Sequence, residues 1–184
     1  MDLEVVILTL MGADRPGLVG ALAERVAAHG GNWEEGRMAH LGGQFVGLLR
    51  VTVPGEKRAA LEEALRLLGD QGLSVHSLHE APAAPTPGPL RVHLEVTGQD
   101  REGIVRDIST VLSARGVNVE ELETRCESAA MTGETLFRAR AVLAVPEGGD
   151  VDAELGRLRD ELEAIGNDLM VDLGTPSGAR NGSL

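Results

Sequence analysis

Thirty consecutive residues of this chain have a counterpart 86 positions later. Val6 to Glu35 lies over Val92 to Glu121 without a gap. Within that span Leu8/Leu94, Gly12/Gly98, Asp14/Asp100, Arg15/Arg101, Gly17/Gly103, Val19/Val105, Gly30/Gly116 and Asn32/Asn118 are identical pairs. An internal duplication restricts the fold more than any composition does, because each copy must form the same small unit. The most distinctive shared stretch is G-x-D-R-x-G, at Gly12–Gly17 and again at Gly98–Gly103. In both copies it follows an apolar run and precedes a helical pattern.

The first copy reads as βαββαβ. Val5 to Leu10 is an apolar run of strand length. Asp14 is placed to cap the following helix, and Pro16 suits its first turn. Leu18, Val19, Leu22 and Val26 recur at helical spacing, and Gly30-Gly31 ends the helix. Asn32 to Leu41 and Phe45 to Val53 are strands joined by a tight Gly42-Gly43 turn. Residues 56–69 form a second helix, and Leu73 to Glu80 a last strand. The second copy repeats this order. A strand over Val92–Val96 leads to a helix carrying Ile104, Val105, Ile108, Val111 and Leu112. Asn118–Arg125 and Leu136–Val145 make the hairpin, with a longer loop at Cys126 to Glu134. A helix with Val151, Leu155, Leu158, Leu162 and Ile165 on one stripe precedes a final strand, Leu169–Leu173.

This order predicts an α+β chain: two ferredoxin-like units in tandem, each a four-stranded antiparallel sheet with two helices on one face. The expected domains are residues 1–80 and 90–173. A stiff proline-rich linker, 81–89, joins them, and a disordered tail, 174–184, follows. A unit of about 80 residues has a marginal core alone. Its second sheet face and edge strands need cover, so a homodimer or an intramolecular pseudo-dimer is expected.

Composition narrows the functions. Of the 184 residues, 42% are apolar and 25% charged, as in soluble globular proteins. The net charge of -12 disfavours direct binding to nucleic acid. Trp33, Phe45 and Phe137 are the aromatic residues, too few for base stacking. A single cysteine, Cys126, excludes an intrachain disulfide and a Cys-rich zinc site. The start of the chain is acidic rather than basic, so no signal peptide is expected, and no run is long enough to span a membrane. A cytoplasmic protein is expected.

The stretch Val6-Ile7-Leu8-Thr9-Leu10-Met11-Gly12-Ala13-Asp14-Arg15-Pro16-Gly17, followed by Gly30-Gly31-Asn32, resembles the start of an ACT domain. The second copy, Val96 to Val105 with Gly116-Val117-Asn118, is similar. The resemblance implies small regulatory modules that commonly bind amino acids. A free-standing pair with this spacing looks most like the glycine cleavage system transcriptional repressor family. That resemblance implies action through a DNA-binding partner protein. Glu102 stands where proline would be common, and glutamate also suits a first helical turn.

A free amino acid needs donors for its carboxylate and acceptors for its ammonium. A helix start offers the donors, and Gly17 and Gly103 would let a ligand approach the backbone. Asp14 or Asp100 would accept from the ammonium. The expected ligand site is therefore Gly12, Asp14, Arg15, Gly17 and Asn32, with Gly98, Asp100, Arg101, Gly103 and Asn118. The resemblance puts this corner against a neighbouring domain. Simpler readings stand beside it. The aspartates would be only caps, the arginines solvated or in interdomain ion pairs, and the asparagines turn residues.

Other candidates are weaker. The turn lacks both dinucleotide and P-loop spacing. His76 and His79 point to opposite faces of a strand, and His29 and His40 lack a ligand pattern. Glu127 is expected to raise the Cys126 pKa. Glu34-Glu35 and Glu120-Glu121 read as solvated charges, and Trp33, in the slot of Val119, as packing. No catalytic residue, metal site or cofactor is expected. The leading reading is a non-enzymatic regulator sensing glycine or a similar small effector. The alternatives are a ligand-free interaction module, or a detached regulatory subunit of an amino-acid or one-carbon enzyme.

Overall fold

A computed structural model describes residues 2–79, 89–128, 134–146, 150–166 and 168–174. The expected tail from 175 onward, and all but Pro89 of the expected linker, lie outside the described residues. The chain divides into two compact units, residues 1–85 and 86–184.

In the first unit the strands are β1 (Leu3–Ala13), β2 (Asn32–Leu41), β3 (Gln44–Pro54) and β4 (Leu73–His79). The helices are α1 (Leu18–Ala28) and α2 (Gly55–Arg66). The second unit has β5 (Leu90–Gln99), α3 (Ile104–Ala114), β6 (Asn118–Ser128), β7 (Thr135–Val145), α4 (Val151–Glu163) and β8 (Met170–Gly174). The sheets are ordered β2-β3-β1-β4 and β6-β7-β5-β8, with every pairing antiparallel. This is the tandem ferredoxin-like plan that the repeat predicts.

Alternation places each core. Val6, Leu8 and Leu10 of β1 and Leu49, Val51 and Val53 of β3 are buried under the helices. Leu18, Leu22 and Val26 of α1 and Leu61 and Leu65 of α2 close over them. The second core is built the same way from Val92, Leu94 and Val96, with Ile104, Ile108 and Leu112 of α3 and Leu155, Leu158 and Leu162 of α4. Each such Leu or Ile contributes about 1.5–3 kcal/mol by leaving water.

The duplication runs deeper than identity. Both sheets shift register at the same place, between Trp33 and Glu35 and between Val119 and Glu121. Both first helices end in a Schellman motif. Gly31 N–H donates to the Val26 carbonyl, and Val117 N–H to that of Leu112.

Three local expectations are corrected. The second helix, expected over 56–69, is α-helical only to Arg66 and then tightens into a 3-10 turn, Leu67–Gln71, which brings Leu68 into the core. Neither Asp14 nor Asp100 caps a helix: α1 and α3 start behind Gly17 and Gly103, with no side-chain cap. Pro16 and Glu102 therefore stand in the turn before the helix, not in its first turn.

Candidate functional site

The repeated stretch forms the same corner twice. Gly17 has φ 92° and ψ -6°, and Gly103 has φ 81° and ψ 4°. These are the values of the third residue of a type II turn, which needs positive φ and favours proline just before it. Ile104 N–H donates to the Arg101 carbonyl at 3.4 Å, closing that turn in the second unit. Glycine is thus demanded here by the backbone itself. Gly12 is demanded by proximity: a Cβ there would lie 2.3 Å from the Gly72 carbonyl oxygen.

The aspartates face the end of the neighbouring hairpin. The backbone N–H of Asp14 donates to Gly43, and that of Asp100 to Thr135, both at 2.9 Å. The Asp14 carboxylate lies 3.6 Å from His40 Nε2. Asp100 faces Cys126. Desolvation, and then the Asp100 charge and hydrogen bond, raise that thiol's pKa, so Asp100 replaces Glu127 as the acidic neighbour. His40 and Cys126 are equivalent: they pair with Phe45 and Phe137, which pair in turn with Gly12 and Gly98.

The arginines have a role that neither simple reading contained. Arg15 donates to the Gln71 carbonyl, at the end of the 3-10 turn. Arg101 donates to the Ile165 carbonyl, just past α4, at 3.4 Å. Each ties the corner to the carbonyl end of its own unit's second helix, where a cation is favoured.

Around this shared frame the corners differ. In the second unit Arg101 also binds the Asp107 carboxylate at 2.9 Å. Arg106 holds the other Asp107 oxygen through two N–H groups, at 3.0 and 2.9 Å. Arg101 first and Arg106 second pull the Asp107 pKa below the usual carboxylate value. The Arg106 guanidinium also lies 2.9 Å from where a Gly103 Cβ would be. In the first unit the matching positions are Gly20 and Ala21. There a cleft of about 180 Å³ opens beside Arg15, walled by Pro16, Ala21, Leu68, Gln71 and Leu73.

The asparagines are elsewhere. Asn32 is level with Thr52 and Val5, whereas Gly12 is level with Phe45. Seven strand residues separate those rungs, roughly 23 Å. Asn118, level with Ala144 and Arg91, is as far from Gly98. Within one unit the structure brings the glycines, aspartate and arginine together and leaves the asparagine at the opposite end.

An ACT domain profile matches residues 4–76. A UPF0237 protein of Methanopyrus kandleri is 32% identical over 84 residues, covering 45% of this chain and 82% of that protein. The chain belongs to the ACT domain family. Over 124 residues, 67% of the chain, it is 27% identical to the glycine cleavage system transcriptional repressor of Escherichia coli K12. This ACT domain protein spans 65% of that relative's length. A crystal structure of an unknown protein from Galdieria sulphuraria superposes with TM-score 0.79 at 28% identity, covering 96% of this chain and all of that one. One of a candidate glycine cleavage system transcriptional repressor superposes with TM-score 0.71 at 20% identity, covering 97% and 100%, and bears on the fold alone.

Sequence reasoning missed Gln71, Ala21, Arg106 and Asp107. The last three had a signal: they lie inside the gap-free overlay, at positions where the copies differ. Gln71 had none, because it reaches the corner only through the 3-10 turn. Among the described residues no cluster of three or more His, Cys, Asp or Glu could hold a metal ion. None of the described helices is long and apolar enough to cross a membrane.

Proposed function

We propose that this ACT domain protein is a non-enzymatic regulator that senses a small amino acid and passes the signal to a partner protein. The observation that carries the reading is the cleft beside Arg15. It offers a guanidinium for a carboxylate and, at about 180 Å³, room for a small ligand. The similarity to a glycine cleavage system transcriptional repressor adds glycine as the first effector to try. The charge of -12 favours a DNA-binding partner protein over direct contact with nucleic acid. The expected setting is the cytoplasm and the expected assembly a homodimer.

Calorimetry against glycine, serine and the other amino acids tests the sensing role. A binder raises the melting temperature with concentration, by the equivalent of about 2.7 kcal/mol at one hundred times its Kd. Silence across the panel overturns the reading. Pull-down with and without the binder then identifies the protein that responds.

A ligand-free interaction module is the second reading, and one observation favours it. The helix-free face of the first sheet exposes Met11 at 57%, Leu48 at 51% and Leu41 at 82%. Partner capture that no amino acid alters would select this reading.

A further inference from the structure

The two corners are copies that differ in a few side chains, and the exchange of Ala21 for Asp107 shows what the open one lacks. Arg101 and Arg15 occupy the same place in the repeat, and each donates to a carbonyl past its second helix. Arg101 has in addition a carboxylate from its own chain, Asp107, at 2.9 Å. At the position of Asp107 the first unit has Ala21, and at that of Arg106 it has Gly20. A methyl group cannot replace a carboxylate, and glycine cannot reach back over the turn. Among the described residues no carboxylate is paired with Arg15, and a cleft of about 180 Å³ lies beside it with Ala21 in its wall.

We propose that the second unit carries a built-in carboxylate at its corner, and that the first unit takes the carboxylate of a small free ligand on Arg15 in the matching place. The proposal rests on the sensing role set out above and makes it unequal: one ligand per chain, bound by the first unit only. Asp107 is the internal stand-in for that ligand. It bonds Arg101 through one oxygen and leaves the other to Arg106. A free carboxylate on Arg15 has no equivalent of Arg106, so its second oxygen is left to other donors or to water. The cleft holds only about 180 Å³, which suits hydrogen or a short side chain on the ligand. Two copies with the same turn conformation thereby differ in role. One corner is held shut by its own side chains, and the other is open to the solution.

The test is titration calorimetry of the full chain with glycine, L-alanine, glycine methyl ester and acetate. The expected result is one site per chain for the carboxylates and none for the ester. Arg15→Gln weakens binding about tenfold or more, the usual effect of losing a charged hydrogen bond. Ala21→Asp supplies the missing carboxylate and removes binding. Because Ala21 is part-buried, its melting curve is recorded alongside. Asp107→Ala needs no new group in a core, and with Arg106→Gly it is expected to raise the stoichiometry from one to two. Two sites in the unaltered chain, unchanged binding in Ala21→Asp that remains folded, or a stoichiometry still at one in the Asp107→Ala/Arg106→Gly chain overturns the inequality while leaving amino-acid sensing intact. Acetate bound at Arg15 with no amino acid binding any tighter leaves the carboxylate seat standing and removes the sensing role. Silence from every carboxylate removes both.

Discussion

Gly12 and Gly72 meet backbone to backbone: a Cβ at Gly12 would stand 2.3 Å from the Gly72 carbonyl oxygen. No side-chain rearrangement relieves that contact, because both partners are main chain. Gly12→Ala is expected to part β1 from the start of β4 and cost about 1–3 kcal/mol, the usual penalty of overpacking. Gly17→Ala meets nothing within 4 Å and pays only for its left-handed φ, about 1–2 kcal/mol. Urea unfolding of both variants checks the order. A Gly17→Ala loss well above that of Gly12→Ala would mean that the close approach is not what selects glycine at position 12.

The Trp33 indole lies over Gly36, with Cζ2 3.1 Å from where a Cβ would be. The second unit has Val119 and Leu122 at the equivalent rungs, so bulk has moved from one residue to the other. Gly36→Leu alone is expected to destabilise, and Trp33→Val alone to leave a gap. Together they should recover much of the loss. A coupling of about 1–2 kcal/mol in a double-mutant cycle is the expected reading, within the range for touching residues. Simple additivity would mean that the two sites do not share this space.

Arg115 fastens the end of α3 to α4 through Glu154 at 2.6 Å and Glu161 at 2.5 Å. Its hydrogen bonds are the largest influence lowering the Glu161 pKa. For Glu154, Arg157 comes first and Arg115 second. Carboxylates with lowered folded pKa add stability that is fully present above their ordinary value. That stability is lost as pH falls through the folded value. Protonation therefore releases the clasp below about pH 4.5, the ordinary glutamate value. Melting temperatures from pH 7 to 3 should fall less steeply below pH 4.5 in Arg115→Met than in the unaltered chain. Parallel curves would remove Arg115 from the acid response.

Leu8 is fully buried between β1, β3 and the helices, whereas Leu41 is 82% exposed at the hairpin end. Leu8→Ala is expected to cost about 2–5 kcal/mol by leaving a cavity. Leu41→Ala in a monomeric chain should stay within about 0.5 kcal/mol. A large loss at Leu41 measured by equilibrium unfolding would show that the open sheet face is covered in solution. The loss would then depend on protein concentration.

The elements were legible because their signals are local. Apolar alternation in β1 and β5, and helical spacing in α1 and α3, need no distant residue to be recognised. The Gly42-Gly43 hairpin is equally local. The site was legible only in part. Repetition marks Arg15 and Asp14 in the sequence, but nothing local marks Gln71 and His40, which they meet. Asp14 reads as a cap from sequence because aspartate before a helix commonly is one. It faces His40 instead because the type II turn delays the helix by three residues. Asn32 recurs too, so the sequence groups it with the corner. The direction of α1 carries it about 23 Å away.

By itself the sequence determined that there are two copies of one βαββαβ unit, where their strands and helices lie, and which faces are buried. Those follow from the period of apolar residues and from turn chemistry, both properties of neighbours along the chain. Only the tertiary structure decided what each corner contains. Arg15 meets Gln71, 56 residues away, and Arg101 meets both Asp107 and Ile165. Which side chains fill a corner depends on where the second helix ends in space. Local sequence does not encode that distance, because packing of the two helices against the sheet sets it.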